Sequence, residues 1–244
     1  MSTNNAAARG SLSERFKDLS PRLSYRQGVD PEYRDAIFRL RHDAYLREGA
    51  ISPQPGGIFK DEVDQSENTL LFGIHVDDEL VSSIRVSVSS PTAPDIPTAH
   101  VFPDILGPEI AAGKIIVDPT RFVVDHASSR RSPELPYITL RLAWIAMEQF
   151  DADILLAAVR SEHVAFYRRF WSTHAVAPPR TYPLLSKPIS LTLADYPSVR
   201  ESVHARYPLL ASTAVERARI FDTLAAGQVR GLPPERSLGQ PVTA

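Results

Sequence analysis

The spacing of apolar and polar positions predicts alternating strands and helices. Apolar residues recur at helical intervals over residues 31–48 and 133–150, so each segment is predicted to be a helix with a buried face. Segments 69–76 and 80–88 flank an acidic turn, and the second alternates apolar with polar residues. This pattern is typical of a β-hairpin with one half-buried arm.

Shorter segments complete the predicted sheet. Four further strands are predicted at residues 23–27, 114–124, 153–159 and 188–193. Two further helical regions are predicted at residues 161–171 and 195–227. The resulting order indicates a mixed central sheet flanked by helices, which is an α/β sandwich.

The remaining segments predict the domain organisation. Residues 1–21 are polar and small, and predict a flexible N-terminal tail. Residues 49–68 and 89–113 are rich in glycine, proline or acidic residues and predict long loops. We therefore expect one domain over residues 22–194, followed by a C-terminal helical extension and tail over residues 195–244.

Composition narrows the possible partners. The 244 residues are 43% hydrophobic and 23% charged, with a net charge of −2, which gives no global attraction to nucleic acid or to an anionic membrane. The absence of cysteine excludes disulfides, cysteine nucleophiles and thiolate metal sites. We expect no bound metal or cofactor.

No apolar segment reaches the roughly 20 residues that span a bilayer, and the N-terminus lacks the apolar core of a secretion signal. A cytoplasmic protein without an integral membrane segment is expected.

Charged residues cluster in the first helix, the loop after it and the second hairpin strand. Arg41 and Tyr45 lie four residues apart, as in a helix whose arginine packs on an aromatic side chain. Asp61 and Asp64 belong to an acidic loop that either captures an amine or forms a salt bridge that orders the loop. Arg85 either points to solvent or pairs with these carboxylates.

A second candidate cluster lies on the strand at 114–124. Asp118 and Arg121 are three apart and would face opposite sides of a regular strand, but Pro119 makes a bulge plausible. An acid at a bulge is a candidate general base, which would take an amine proton directly or, because aspartate is short, through a water. The backbone amides after it, near Phe122, could meet a thioester carbonyl.

In this order, these residues resemble the acyl-homoserine-lactone synthases, a family of autoinducer synthases. The resemblance spans residues 25–190, roughly, and rests on five ordered elements. These are Arg41 with Tyr45, Asp61 with Asp64, Ser83-Ile84-Arg85, Phe102-Pro103, and Asp118-x-x-Arg121-Phe122. Tyrosine replaces the phenylalanine of that family, and aspartate replaces its glutamate.

The departures from that pattern favour a sister family. The tryptophan that follows the first aromatic residue in those synthases is absent, and their proline-rich stretch is only loosely matched by residues 91–94. Both losses weaken the case for S-adenosylmethionine as substrate. The sequence looks more like the N-acyl amino acid synthases, which join an acyl group from a carrier to an amino acid.

The resemblance implies a GCN5-related N-acyltransferase fold and transfer of an acyl group from an acyl carrier protein to a small amine. Two alternatives stay open: an acyl-homoserine-lactone synthase, and a non-catalytic protein that binds acyl groups or the carrier.

Asp118, Arg121 and Tyr167 are the implied catalytic residues. Tyr167 lies in a helix that resembles the one whose tyrosine protonates the leaving thiolate in such enzymes, although a core aromatic is equally consistent. The implied substrate-binding residues are Arg41, Tyr45, Asp61, Asp64, Arg85, Phe102, Phe122, Val123, Val124, Leu140 and Trp144.

The stretch at 125–132 bears on the acyl donor. Coenzyme A loops of acetyltransferases are rich in glycine, whereas this stretch has none. An acyl-phosphopantetheine on a carrier protein has a single phosphate and is the expected donor, with acyl-coenzyme A as the alternative. Arg130 and Arg131 either hold that phosphate or the acidic carrier, or form a solvated pair. The acyl chain is expected to lie between the sheet and the helix at 133–150.

Overall fold

The computed structural model describes residues 11–221, in which seven strands form one sheet. The strands are β1 (Leu23–Gln27), β2 (Thr69–Val76), β3 (Glu79–Ser89), β4 (Ile116–Val124), β5 (Ile154–Val159), β6 (His174–Arg180) and β7 (Ile189–Asp195). Their order across the sheet is β1-β2-β3-β4-β5-β7-β6. Neighbouring strands are antiparallel except β4 and β5, which are parallel.

Helices cover both faces of the sheet. They are α1 (Leu12–Leu19), α2 (Pro31–Arg47), α3 (Pro97–Val101), α4 (Pro103–Ala111), α5 (His126–Arg131), α6 (Leu135–Gln149), α7 (Val164–Trp171), α8 (Tyr196–Arg206) and α9 (Ala214–Phe221). On β3, Ser82 bonds Thr139 of α6, whereas Arg85 faces the loop after α2. Alternate residues of a strand point to opposite faces, so α6 and α2 lie on opposite sides of the sheet. The predicted α/β sandwich is confirmed.

The N-terminal prediction is wrong for residues 11–21, which form α1 and a 3-10 turn instead of an irregular tail. Ser11 caps α1: its hydroxyl accepts from the Glu14 amide, and the Glu14 carboxylate accepts from the Ser11 amide. This reciprocal cap stabilises a short helix that lacks a long apolar repeat. Leu19 is buried and anchors the helix to the core. Residues 1–10 lie outside the described residues.

Four further elements were not predicted. The proline-rich region 89–113 contains α3 and α4, and each helix has a proline at its first position, where a missing amide is tolerated. The glycine-free stretch 125–132 is the helix α5, whose first turn is capped by the Asp125 carboxylate on the Ser128 amide. Strand β6 contains two prolines and lies at the sheet edge, the place where a strand tolerates proline.

Strands β4 and β5 separate soon after they meet. Their register joins only Ile116 to Ile154 and Val117 to Leu155, yet both strands continue beyond these pairs. On its other edge, β4 has a bulge opposite β3, where the register shifts and Arg121 takes a positive φ of 53°. The predicted bulge is therefore present, two residues beyond Pro119. The separation leaves one edge of β4 without a strand partner in its second half.

The C-terminal helices pack against α6 rather than standing apart. Arg141 of α6 donates to the Ala211 carbonyl at 2.8 Å and pairs with Glu216 of α9 at 2.7 Å. Phe221 contacts the rings of Phe72 and Phe150. These contacts explain why α6 is apolar around most of its circumference. Within residues 11–221, no helix has the length and apolar character needed to cross a bilayer. The predicted tail beyond residue 221 lies outside the described residues.

A histidine on α8 makes the stability of this packing depend on pH. The buried Trp144 indole donates to the imidazole of His204 at 2.8 Å, so that nitrogen must be unprotonated. Burial lowers the pKa of His204, against the raising effect of Glu148 and with a small lowering by Arg200. Stability from His204 is therefore complete above its ordinary pKa and falls as the pH drops towards its lower folded value. The thermal midpoint should therefore decrease as the pH is lowered through that range.

The matched variant for this prediction is His204→Gln, which offers Trp144 an acceptor that does not titrate. The difference in thermal midpoint between wild type and variant should shrink or reverse as the pH falls below neutral. A difference that stays constant with pH would contradict a role for His204 protonation.

Candidate active site

Five charged residues from α2, the acidic loop, β3 and β4 form one ion-pair cluster. Arg41 contacts the Asp64 carboxylate through both terminal nitrogens, at 2.8 and 3.1 Å. Arg121 donates twice to one oxygen of Asp61, at 2.7 and 3.1 Å. Arg85 donates to the other oxygen of Asp61 and lies 3.2 Å from Asp64. The cluster joins the loop to both central strands.

The cluster distinguishes between the two roles predicted for the acidic loop, capture of an amine or a salt bridge that orders the loop. The Asp61 amide donates to the Asp64 carboxylate at 2.9 Å, which closes a 3-10 turn over Glu62–Gln65. Burial would raise the pKa of each aspartate, but Arg85 and Arg121 lower that of Asp61, and Arg41 lowers that of Asp64. Both carboxylates are thus ionised and occupied. They order the loop, and neither is free to capture an amine.

Aromatic rings surround the Arg121 guanidinium. Its central carbon lies 4.8 Å from the Phe59 ring centre, 5.6 Å from Tyr182 and 5.8 Å from Tyr45. Such contacts are favourable for a cation held away from water. Together with Asp61 they hold Arg121 in its uncommon backbone conformation. The bulge is therefore supported from the loop side of the sheet.

A cavity of about 720 Å³ occupies the space between β4 and β5. This volume is within the range of small-molecule sites. Its walls come from the end of α2, the second half of β4, α5, the end of β5, α7 and the loop before β7. Six of the residues predicted from the sequence line it: Tyr45, Arg121, Phe122, Val123, Val124 and Tyr167.

Tyr167 on α7 has the environment expected of a proton donor. It is 7% exposed, and its side chain lines the cavity. Burial, with a smaller effect from Tyr45, raises the pKa of its phenol above the ordinary value. The hydroxyl therefore stays protonated at neutral pH and can donate to a group in the cavity. Its catalytic role stays a prediction.

Three predicted substrate-binding residues lie in neither the cavity nor the ion-pair cluster. Leu140 and Trp144 are buried in the core between α6, the sheet and the C-terminal helices, and do not line the cavity. The path predicted for an acyl chain past them is filled by side chains. Phe102 is buried between α3, α4 and the sheet, beneath the Arg180 guanidinium at 4.8 Å. All three positions are explained by packing, and the structure does not bring them to the site.

Asp118 also lies outside the cavity. Its side chain is fully buried, and its oxygens accept from the amide and the hydroxyl of Thr98 on α3, at 2.9 and 2.7 Å. Burial raises its pKa, and the two bonds from Thr98 oppose that shift. Asp118 therefore attaches α3 to β4. This position does not support direct removal of an amine proton by Asp118, and removal through a water stays a prediction.

Arg130 and Arg131 are exposed in the last turn of α5. Arg131 donates to the Ser128 hydroxyl at 3.2 Å and lies 3.7 Å from Glu79. Neither arginine lines the large cavity, although Ser129 of the same helix does. Their predicted contact, with the phosphate of the donor arm or with the acidic surface of a carrier, stays a prediction.

Four charged residues at the cavity were missed from the sequence. Arg47, Arg160 and Lys187 line it together with Glu48, which pairs with Arg160. They come from α2, the end of β5 and the loop before β7. In the sequence each one has the appearance of a solvated surface charge, and no local pattern marks it. Only the tertiary structure brings them together.

Comparison with known proteins agrees with this architecture. The structure of FeeM, an N-acyl amino acid synthase from uncultured soil microbes, is similar to it with a TM-score of 0.62 and 19% identity, over 74% of this chain and 94% of FeeM. The acyl-homoserine-lactone synthase LasI has a TM-score of 0.53 and 15% identity, over 70% of this chain and 89% of LasI. BjaI, a coenzyme A-dependent acyl-homoserine-lactone synthase, has a TM-score of 0.52 and 16% identity, over 81% of this chain and 97% of BjaI. A search of curated sequences finds no match.

The family model that matches this chain is one of N-acyltransferases, and the protein is an enzyme of that class. More particularly, residues 36–195 match the family model of the N-acyl amino acid synthase FeeM, and the chain belongs to that family. The predicted GCN5-related N-acyltransferase fold is thereby confirmed, as is acyl transfer to an amine as the type of reaction. The alternative of a non-catalytic binding protein is set aside.

The ion-pair cluster yields a stability prediction. Asp64→Asn should lower the free energy of unfolding by about 3–5 kcal/mol, because it leaves the fully buried Arg41 without its counterion. Asp77→Asn is the matched control, since Asp77 pairs with Arg22 on the exposed surface. It should leave the urea midpoint close to that of wild type. Similar midpoints for both variants would show that the buried pair does not hold the loop.

The position of Asp118 yields a second prediction. Asp118→Asn should stay within about tenfold of wild-type activity, because the asparagine side chain can still accept a hydrogen bond from Thr98, whereas loss of a general base costs about 10²–10⁴. Rates are measured with saturating donor and amine between neutral and alkaline pH, alongside the thermal midpoint. A loss of about 10² or more at neutral pH that shrinks as the pH rises would restore Asp118 as the base.

Proposed function

We propose that this enzyme transfers an acyl group from an acyl carrier protein to the amine of an amino acid, and releases an N-acyl amino acid. The proposal rests on the charge of the cavity between β4 and β5. Four cationic side chains line it: Arg47, Arg121, Arg160 and Lys187. Among the described residues, Glu48 is the one carboxylate on its surface.

An excess of positive charge favours an amino acid over S-adenosylmethionine. An amino acid has a free carboxylate, and it is an anion once its amine has lost the proton that it must lose before it reacts. The sulfonium of S-adenosylmethionine adds a positive charge that these cations repel. Asp61 and Asp64, the acids that could have compensated for it, are already neutralised by arginines. Membership of the FeeM family supports the same acceptor.

The same charge helps to prepare the nucleophile. A free amino group is mostly protonated at neutral pH and cannot attack a carbonyl in that form. Nearby positive charges disfavour the ammonium and lower its pKa. The amine bound beside Arg121 can therefore lose its proton to solvent, which requires no buried carboxylate. This route is consistent with Asp118 lying outside the cavity.

The remaining steps use β4 and α7. The neutral amine attacks the thioester carbonyl, and a C–N bond forms while the carbonyl oxygen becomes negative. Because β4 has no ladder partner on its β5 side beyond Val117, backbone amides near Phe122–Val124 are available to donate to that oxygen. The C–S bond then breaks, and Tyr167 donates its proton to the departing thiolate. Solvent returns a proton to Tyr167, and the amine loses its second proton.

The acyl chain and the donor arm share the cavity in this proposal. Phe122, Val124 and Phe166 give it an apolar wall that suits a long acyl chain. A phosphopantetheine arm with a single phosphate fits the absence of glycine in 125–132 better than a coenzyme A diphosphate does. Arg130 and Arg131 lie exposed next to Ser129, which lines the cavity, and would meet the acidic surface of a carrier.

A donor comparison tests this function. With the same acyl group on each carrier and a mixture of amino acids as acceptors, acyl carrier protein should be the faster donor, and mass spectrometry should detect N-acyl amino acids. Reversing the charge of Arg130 and Arg131 to glutamate should raise the KM for acyl carrier protein and reduce its dependence on salt.

Acyl-pantetheine, which has no carrier surface, is the control donor, and its KM should be unaffected by that charge reversal. A clear preference for acyl-coenzyme A would contradict the proposed donor. Acyl-homoserine lactone formed from S-adenosylmethionine, with no N-acyl amino acid, would contradict the proposed acceptor.

A further inference from the structure

The four cations of the cavity differ in whether their charge is already neutralised. Arg121 is paired with Asp61, and Arg160 with Glu48 and with Glu162 at 3.3 Å. By contrast, neither Arg47 nor Lys187 forms an ion pair within the described part of the chain. An anionic group that enters the cavity would therefore find its free counterions at these two side chains.

Arg47 and Lys187 belong to different parts of the cavity. Burial raises the pKa of Asp125, but bonds from Ser128, together with the charge of Arg47, bring it below its ordinary value. Arg47 thus lies near the start of α5, the helix whose last turn carries Arg130 and Arg131. Lys187 belongs to the loop before β7 and reaches the cavity from there. The nearby Glu162 bonds Arg160 rather than Lys187.

The backbone beside Lys187 is anchored at the cavity rim although its side chain is exposed. The Ser186 amide donates to the Ala50 carbonyl at 3.1 Å, and its hydroxyl donates to the Gly49 carbonyl at 2.9 Å. Pro188 restricts Lys187 to an extended backbone conformation. A lysine whose backbone is fixed on both sides sweeps a smaller volume than a lysine in a free loop, which lowers the entropic cost of binding a ligand.

The same loop leads back to the reacting centre. The Leu185 amide donates to the Tyr182 carbonyl at 3.2 Å, and the buried Tyr182 ring contacts Arg121. Leu185 and Ile189 line the cavity on either side of Lys187. An acceptor whose amine lies beside the bulge of β4 could thus extend towards Lys187 along this loop.

We propose that Lys187 binds the carboxylate of the amino acid acceptor and makes the enzyme select amino acids over amines that lack a carboxylate. This assignment rests on the proposed function and names the residue that gives the acceptor its specificity. The ammonium of Lys187 supplies a charge-assisted hydrogen bond to a carboxylate oxygen. It takes no part in bond formation, so its removal should weaken binding of the acceptor and leave the chemical step unchanged.

The experiment compares two acceptors that differ only at the carboxylate: an amino acid accepted by the wild-type enzyme and its carboxamide. Lys187→Gln should raise the KM for the amino acid by about fivefold, the upper end of the effect of one exposed ion pair, with little change in kcat. The KM for the carboxamide should stay within about twofold, because Lys187 forms no ion pair with a neutral amide. Lys187→Arg should restore the preference for the amino acid over its carboxamide.

Arg47→Gln is the matched control, since it removes the other unpaired cation of the same cavity. It should raise the KM for the donor and leave the ratio between the two acceptors as in wild type. Equal losses for amino acid and carboxamide in Lys187→Gln would overturn the assignment, because a displaced loop affects both acceptors alike. Unchanged kinetics in that variant would overturn it too. Failure of the proposed function has a different signature: the wild-type enzyme itself would acylate no amino acid.

Discussion

The separation of β4 from β5 is the constraint on which the rest of the site depends. Two parallel strands that meet at only two residue pairs leave a wedge between them, and the edge of β4 that faces it lacks a strand partner. A backbone edge of this kind must be satisfied by some other group. In the proposed reaction that group is the thioester donor, so the feature that interrupts the sheet also provides the place for the chemistry.

The buried ion-pair cluster stabilises β4 opposite that wedge. Arg121 has a positive φ at the bulge, an uncommon conformation for a residue with a side chain. Asp61 holds its guanidinium from one side, and the rings of Phe59 and Tyr182 enclose it from others. Because these partners come from distant parts of the chain, the bulge forms only once the loop, α2 and the sheet have packed. The acidic loop is thus a structural support for the site.

Charge at the cavity follows from how these pairs are distributed. Both aspartates of the loop are used by arginines within the protein, and Asp118 is bonded to α3. The cavity wall is left with more cations than carboxylates. In one low-dielectric space this excess disfavours a protonated amine and attracts a carboxylate. In the proposed function, the preparation of the nucleophile and the choice of acceptor therefore have the same physical origin.

The sequence by itself determined the elements whose signal is local. Helical periodicity located α2 and α6, alternation located the hairpin, and the order of charged residues indicated the family. It could not determine α1, α3 or α5, which are too short for a clear period and depend on caps and prolines. It also predicted a substrate-binding role for Trp144, since periodicity shows that a residue is buried but not what it is buried against. It predicted a role as base for Asp118, since the resemblance gives the position of that residue in the chain but not its hydrogen-bond partners. Tertiary structure decided which charges are paired, and it brought Lys187 to the cavity, because pairing depends on distances between segments far apart in the chain.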